Sequence, residues 1–216
     1  EVQGKIAAML ALGAGFSQEL SGREIIYITA TVLGLSSAEI RKRLDTIIDF
    51  LETVNGLQPF SGDSFKQTQL GSSAKIFTKS FPDISLADLI IVGCAESRGA
   101  GVRKTDNTGI DTIRKYFYQL FHWHTDVKLA DVGNIKKGAS LEDTYAALQQ
   151  VIAEVSEFGK KVVILGGSHD IMTAQYNVCA GRQQIVEATS VDAFLDMNTE
   201  SSLPADNFLM KIFTGE

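Results

Sequence analysis

From residue 81 onward, apolar runs of strand length alternate with longer stretches whose apolar residues recur at helical spacing. Residues 87–94 form an almost continuous apolar run, as expected for a strand that is buried on both faces. The predicted strands are residues 87–94, 127–132, 161–165 and 184–194. Helices are predicted to begin near Thr108 and Ser140, and a third covers residues 171–179. This alternation predicts an α/β fold in which a parallel sheet is flanked by helices.

Two of the predicted helices carry capping signals. Thr108 is followed at the third position by Asp111, and Ser140 is followed in the same way by Asp143. Gly159 suits the C-cap of the second helix, because glycine tolerates the left-handed conformation found there. The apolar face predicted for the helix near Thr108 comprises Ile110, Ile113, Phe117, Leu120 and Phe121.

The chain before residue 81 has a different pattern. Residues 1–53 indicate one small α-rich unit, with a helix that begins at Ser36, has Glu39 in a capping box, and runs its apolar face through Ile47 to Leu51. Residues 54–80 place glycine and proline among polar residues, which indicates a linker or a loosely packed segment. We therefore expect a unit at 1–53, a linker at 54–80 and an α/β domain at 81–216.

Composition limits the classes of function. The chain has 216 residues, of which 44% are hydrophobic and 21% charged, as in an ordinary folded domain. Its net charge of −6 argues against a nucleic-acid partner. The longest apolar run is too short to span a bilayer, so we expect no membrane insertion. Cys94 and Cys179 form no CxxC pair, which favours a reducing compartment and predicts a cytoplasmic location.

The residues suited to chemistry follow two of the predicted strands. Residues 166–170 (GGSHD) follow the third strand, and residues 192–196 (DAFLD) end the fourth. In a parallel sheet, sites lie at the carboxyl ends of the strands. One imidazole, from His169, and two carboxylates, from Asp192 and Asp196, suit a divalent metal of borderline or hard character. The alternative is that the GGSHD turn simply ends a strand.

These motifs resemble those of the ureohydrolase family, which comprises arginases, agmatinases and formimidoylglutamases. That family has a GGxHx turn after one strand, a DAHxD turn after the next, and a later DxDxxDP motif. Residues 166–170 match the first motif, and residues 192–196 match the second in spacing. Residues 88–103, the helix with Ile113 and Arg114, and residues 131–135 (DVGNI) are also similar to the family. The resemblance covers about residues 55–216.

The resemblance implies that His169, Asp192 and Asp196 are manganese ligands. It further implies hydrolysis of a guanidino or formimino C–N bond in a small substrate, without choosing among arginine, agmatine and formiminoglutamate. Phe194 departs from the family pattern, which has a histidine there, and the sequence contains no DxDxxDP motif. We therefore expect an incomplete, truncated arginase-like domain with weak manganese binding and impaired catalysis. The alternative is a non-catalytic truncated or fused domain.

Residues 1–53 resemble a different family, the nucleotide-binding subunits of polysaccharide-export ABC transporters. The similarity lies in residues 4–7, 12–16, 19–24 and 33–50. The sequence contains no GxxxxGK[ST] motif to cradle phosphates, so we expect no ATPase activity. A transport-associated module is accordingly a further alternative for the function.

Several other residues have ordinary structural explanations. His122 and His124 flank Trp123 and are expected to be helix-end or surface residues, and Cys94 and Cys179 are expected to pack. Glu96, Arg98 and Arg103 lie in a loop after a strand, where they contact either substrate or solvent. A parallel sheet that ends early leaves a bare apolar edge, so we expect homo-oligomers or other self-association.

Overall fold

The computed structural model describes residues 43, 45–60, 64–84, 86–104, 106–157, 159–182 and 187–215. The sequence motifs of residues 1–42, including the helix start at Ser36, lie outside the described residues. Residues 45–49 are helical, in agreement with the helix predicted to continue there. Leu51 was expected on the face of that helix but lies in a short strand instead.

One sheet organises the described residues. Its strands are β1 (Leu51–Glu52), β2 (Lys75–Ile76), β3 (Leu89–Gly93), β4 (Leu129–Ile135) and β5 (Lys161–Leu165). The order is β1-β4-β3-β5, and β2 also pairs with β4. β3 runs parallel to β4 and to β5, with Ile91 opposite Asp131 on one side and Val163 on the other. β1 is antiparallel to β4, so the sheet is mixed, and the three strands predicted from 87–94, 127–132 and 161–165 are confirmed.

The fourth predicted strand is wrong for the residues that are described. Residues 187–194 have no regular structure, and residues 184–186 lie outside the described residues. Val191 and Phe194 are almost fully exposed, so this segment gains none of the burial that stabilises a strand. Just after this segment, the Asn198 N–H donates to the Asp206 carbonyl at 2.9 Å, in the helix at residues 204–214.

Besides the helical residues 45–49, four helices accompany the sheet in the described part of the chain. They are α1 (Thr108–Phe117), α2 (Leu141–Glu157), α3 (Met172–Gly181) and α4 (Pro204–Thr214). The capping box of α2 is confirmed, since Ser140 N–H donates to Asp143 Oδ2 at 2.8 Å and Asp143 N–H donates to Ser140 Oγ at 3.1 Å. Gly159 has φ +69°, as predicted for the C-cap of α2. The cap predicted for α1 is wrong: Thr108 is the first helical residue, and its N–H donates to Asp106 Oδ1 at 3.0 Å.

The buried face of α1 is also different from the predicted one. Ile110, Arg114 and Tyr118 are buried, whereas Ile113 and Leu120 are about half exposed. The residues that face inward are therefore spaced four apart and include a charged side chain. The reason is a buried network with β4, in which Arg114 Nε and Nη2 donate to the two carboxylate oxygens of Asp131 at 2.8 and 2.9 Å.

The same network satisfies the other polar groups between α1 and β4. Arg114 Nη1 donates to Asn134 Oδ1 at 2.5 Å, and Nη2 also donates to the Gly133 carbonyl at 2.9 Å. Tyr118 Oη donates to Asp131 Oδ2 at 2.7 Å. Burial, and then the neighbouring Asp131 charge, raise the pKa of Tyr118 above its ordinary value. The network fixes α1 on the strand that precedes α2.

A buried apolar cluster surrounds β3 and β4. It takes Ile90 and Val92 from β3 and Leu148, Val151 and Val155 from α2. Phe77 and Ile47 also belong to it, although they come from segments predicted to be a linker and a separate unit. The division at residues 53 and 80 stays a prediction. In the described part of the chain, every helix is too short or too polar to cross a membrane.

Candidate metal centre

The turn after β5 carries His169. Gly166 and Gly167 both have positive φ, +83° and +84°, in the left-handed region that favours glycine. A Cβ atom on Gly167 would lie 2.8 Å from the Cys94 carbonyl oxygen and 2.9 Å from that of Glu96. Only glycine therefore lets this turn press against the loop that follows β3. The turn then places His169 beside the carboxyl end of the strand.

The structure brings the three predicted ligands together. His169 Nδ1 lies 2.8 Å from Asp192 Oδ2 and 3.1 Å from Asp196 Oδ2. One potential ligand atom from each residue lies within 4.8 Å of the others. The His169 side chain is 60% exposed, whereas the Asp192 and Asp196 side chains are 18% and 14% exposed. The arrangement is a shallow site with two shielded carboxylates beneath an accessible imidazole.

Helix α4, which the sequence reasoning missed, holds the segment with the two aspartates. Leu209 N–H donates to the Asp196 carbonyl at 3.2 Å. Ser201 Oγ donates to Asp206 Oδ2 at 2.6 Å, closing the loop that leads into the helix. The missed signal was Pro204, a residue favoured at the first position of a helix. The buried Phe208 at i+4 of that helix would have supported it.

The donor set fits one divalent cation. An imidazole with two carboxylates is a ligand set that manganese accepts, and the three atoms already converge. Phe194, where the family pattern has a histidine, is 82% exposed and has no donor atom. Within the described ranges, no second group of His, Cys, Asp or Glu side chains comes together in this way. The residues therefore fit a three-ligand site for one ion.

The turn after β5 also contains a buried carboxylate, that of Asp170. Asp170 is 1% exposed, and its Oδ2 accepts a hydrogen bond from Tyr145 Oη on α2. Burial raises the pKa of Asp170 to about 6, and the nearby Glu96 charge adds to this rise. Asp170 Oδ1 has no hydrogen-bond partner among the described residues. The residue next to the metal-ligand candidate is thus itself held by a helix.

The loop after β3 is clamped by Glu96 and Arg98. The Arg98 guanidinium donates to Glu96 Oε2 at 2.6 Å and to the Ser140 carbonyl at 2.7 Å. Burial alone would raise the pKa of Glu96, but the hydrogen bonds from Arg98 hold it below its ordinary value. Because Arg98 bonds both the buried Glu96 and the Ser140 carbonyl, this pair joins the loop to the start of α2. Arg103, the third loop candidate, is exposed.

The remaining sequence candidates lie outside this centre. His122 Nδ1 lies 3.2 Å from Ser73 Oγ and its Nε2 lies 3.3 Å from the Val127 carbonyl, which are structural contacts. His124 is exposed. Cys94 is fully buried, and this burial raises the pKa of its thiol to about 11. Cys179 is half-buried, and both thiols are free.

Solved structures with the same architecture define the fold class. The structure is similar to a hypothetical agmatinase from Burkholderia thailandensis, with 16% sequence identity and a TM-score of 0.56. The match covers 76% of this chain and 57% of that chain. It is also similar to a putative agmatinase from Clostridium difficile, with 17% sequence identity and a TM-score of 0.52. That match covers 59% of this chain and 50% of that chain. These likenesses show an arginase-like α/β fold.

The sequence places the chain within a family. The arginase family model matches residues 87–208, more than half of the chain, so the chain belongs to the arginase family of ureohydrolases. A segment is also similar to the O-antigen export system ATP-binding protein RfbB of Klebsiella pneumoniae, with 38% identity over 93 residues, 41% of this chain and 36% of that protein. The chain spans little more than a third of that relative, and about half of the two agmatinase chains.

Proposed function

We propose that this chain hydrolyses a guanidino or formimino C–N bond of a small substrate, with manganese as its cofactor. The observation that carries the proposal is the convergence of His169, Asp192 and Asp196 on one point. Membership of the arginase family supports the reaction class, because the ligand candidates lie within the matched residues. The substrate class follows from that family, and arginine, agmatine and formiminoglutamate are the compounds to test.

Each residue of the centre has a role in this proposal. His169 supplies the imidazole ligand, and Asp192 and Asp196 supply carboxylate ligands that offset the charge of the cation. A manganese ion held by these three residues would lower the pKa of a coordinated water and polarise the substrate. The Phe194 N–H donates to Asp192 Oδ1 at 3.3 Å, which leaves Asp192 Oδ2 for the ligand role. Because Phe194 offers no fourth ligand, we expect weak affinity for manganese and slow hydrolysis of the substrate.

A non-catalytic domain is the second candidate, and Phe194 favours it. A phenyl side chain at this position removes a donor from the centre without disturbing the packing, since the ring is exposed. Such a domain could keep the arginase-like fold and still fail to hydrolyse any substrate. Metal binding and hydrolysis therefore have to be measured separately.

The first test is a manganese titration by calorimetry. We expect saturable binding to the unmodified chain, and a loss of more than about 100-fold in affinity for His169→Ala, because even outer-shell changes cost 10–100-fold. His124→Ala is the matched control, since His124 is exposed and lies outside the centre. The manganese-loaded chain is then assayed for hydrolysis of the three substrates.

The outcomes separate the two candidates. Binding that depends on His169, together with hydrolysis of a guanidino or formimino substrate, supports the enzyme. Binding that depends on His169 without hydrolysis supports the non-catalytic domain. Equal heats from the unmodified chain and from His169→Ala contradict the metal site.

We also propose that the chain self-associates through β5. Among the described strands β5 pairs with β3 alone, and Val163 in its middle is 38% exposed. An exposed apolar edge offers unpaired backbone groups to another chain. The free thiols of Cys94 and Cys179 support the further proposal of a reducing, cytoplasmic location.

Light scattering coupled to size-exclusion chromatography tests the self-association. We expect a dimer or larger species for the unmodified chain and a shift toward monomer for Val163→Lys, because a lysine on an edge strand opposes pairing. Val102→Lys makes the same change at an exposed site outside the strands and should leave the mass unchanged. A monomer from the unmodified chain contradicts the proposal.

A further inference from the structure

The backbone on both sides of His169 is fixed by contacts outside the candidate metal centre. On one side, Ser168 N–H donates to the Glu96 carbonyl at 2.8 Å. On the other side, Asp170 is buried and Ile171 packs in the apolar cluster. The His169 imidazole is exposed, but the backbone that carries it is held by buried neighbours. What secures Asp170 also secures the position of His169.

Tyr145 on α2 holds the Asp170 side chain. Its hydroxyl donates to Asp170 Oδ2, while Asp170 Oδ1 has no partner among the residues that the structure describes. The hydroxyl is accordingly the side-chain group that holds this buried carboxylate in one orientation. Tyr145 in turn lies in the first turns of α2, whose start is fixed by the reciprocal Ser140 and Asp143 hydrogen bonds.

Gly99 also lies against the Asp170 carboxylate. A Cβ atom at Gly99 would lie 2.1 Å from Asp170 Oδ2 and 2.7 Å from Oδ1. The loop after β3 therefore touches the carboxylate so closely that no side chain fits between them. Because the loop packs against the carboxylate and the tyrosine hydroxyl bonds one of its oxygens, the Asp170 side chain has little room to rotate.

We infer that Tyr145 is a positioning residue for the ligand His169 and that it acts through Asp170. The inference rests on the proposed function, because it assigns His169 to a metal. Outer-shell hydrogen bonds orient metal ligands, and a ligand loosened by a fraction of an ångström binds less well. Removing the hydroxyl leaves Asp170 without its bond and frees the adjacent histidine to move away from Asp192 and Asp196.

Tyr145→Phe tests the inference, because it removes one oxygen and keeps the ring. We expect its manganese affinity to fall about tenfold, within the range known for outer-shell partners. Tyr116→Phe is the matched control on an exposed tyrosine and should bind as the unmodified chain does. In an Asp170→Ala background, Tyr145→Phe should cause no further loss, because a residue that acts through another has no effect once that other is gone.

A second measurement needs no metal. The chain has three histidines, so their imidazole Cε1–H signals can be resolved by NMR and the signal of His169 assigned with His169→Ala. Tyr145→Phe should shift the His169 signal at fixed pH and leave the signals of His122 and His124 in place. A general loss of structure would move all three.

Two results overturn the inference. One is an unshifted His169 signal in Tyr145→Phe, and the other is an unchanged manganese affinity in that variant when the unmodified chain binds. If the unmodified chain fails to bind manganese, the proposed function fails, and the NMR comparison still decides whether Tyr145 positions His169.

Discussion

Arg114→Met is expected to destabilise the protein by about 3–5 kcal/mol, the cost of removing one partner from a buried ion pair. Both Arg114 and Asp131 are fully buried, and the guanidinium meets both carboxylate oxygens. Methionine fills much of the same space but leaves the Asp131 charge uncompensated between α1 and β4. Because whole domains are stable by only about 5–15 kcal/mol, the loss should be evident in urea or thermal unfolding.

Two further variants identify the cause of that loss. Arg103→Met makes the same replacement at an exposed position and should change the free energy of unfolding by less than about 0.5 kcal/mol. Arg114→Met combined with Asp131→Leu removes both charges and should recover part of the stability, since a well-packed apolar pair can replace a buried ion pair. A double variant that is less stable than Arg114→Met would show that burial of the unpaired charge is not the main cost.

The sequence predicts the elements whose signal is local. β3 follows from its continuous apolar run, and the start of α2 follows from Ser140 and Asp143, whose reciprocal hydrogen bonds join residues three apart. The convergence of His169 with the two aspartates was expected from placing both motifs at strand ends, and the structure shows it even though no strand precedes Asp196 in residues 187–194. The strand predicted at residues 184–194 is wrong over residues 187–194, because its apolar residues there are exposed and do not pack against another element.

The contacts that the sequence did not reveal are those between distant elements. Tyr145 and Asp170 are 25 residues apart, and their pairing depends on how α2 packs beside the turn after β5. The buried face of α1 was mispredicted because its pattern was judged on apolar residues alone. Arg114 lies four residues after Ile110 on that face, and it is buried because Asp131 lies opposite. Helical spacing can locate a face, but only the neighbouring strand decides whether a charge belongs on it.

Phe194→His is expected to strengthen manganese binding by on the order of 10–100-fold, the scale on which changes around a metal site act. Position 194 lies two residues from each aspartate that we propose as a ligand, and the family pattern has a histidine there. Phe194 is 82% exposed, so its replacement removes little packing. An imidazole would add a fourth donor to the three proposed ligands, and affinity rises with the number of ligands. Calorimetry on the variant and on the unmodified chain measures the difference.

The control must add an imidazole without adding a ligand. Phe213→His does so, since Phe213 is an exposed phenylalanine near the end of α4 and is outside the ligand cluster. A gain in affinity for Phe194→His alone, accompanied by faster hydrolysis of a guanidino or formimino substrate, would identify Phe194 as the residue that limits the centre. Equal gains from both variants would mean that added imidazoles bind manganese at the surface. No gain from Phe194→His would show that the segment of residues 192–196 does not direct position 194 toward the metal.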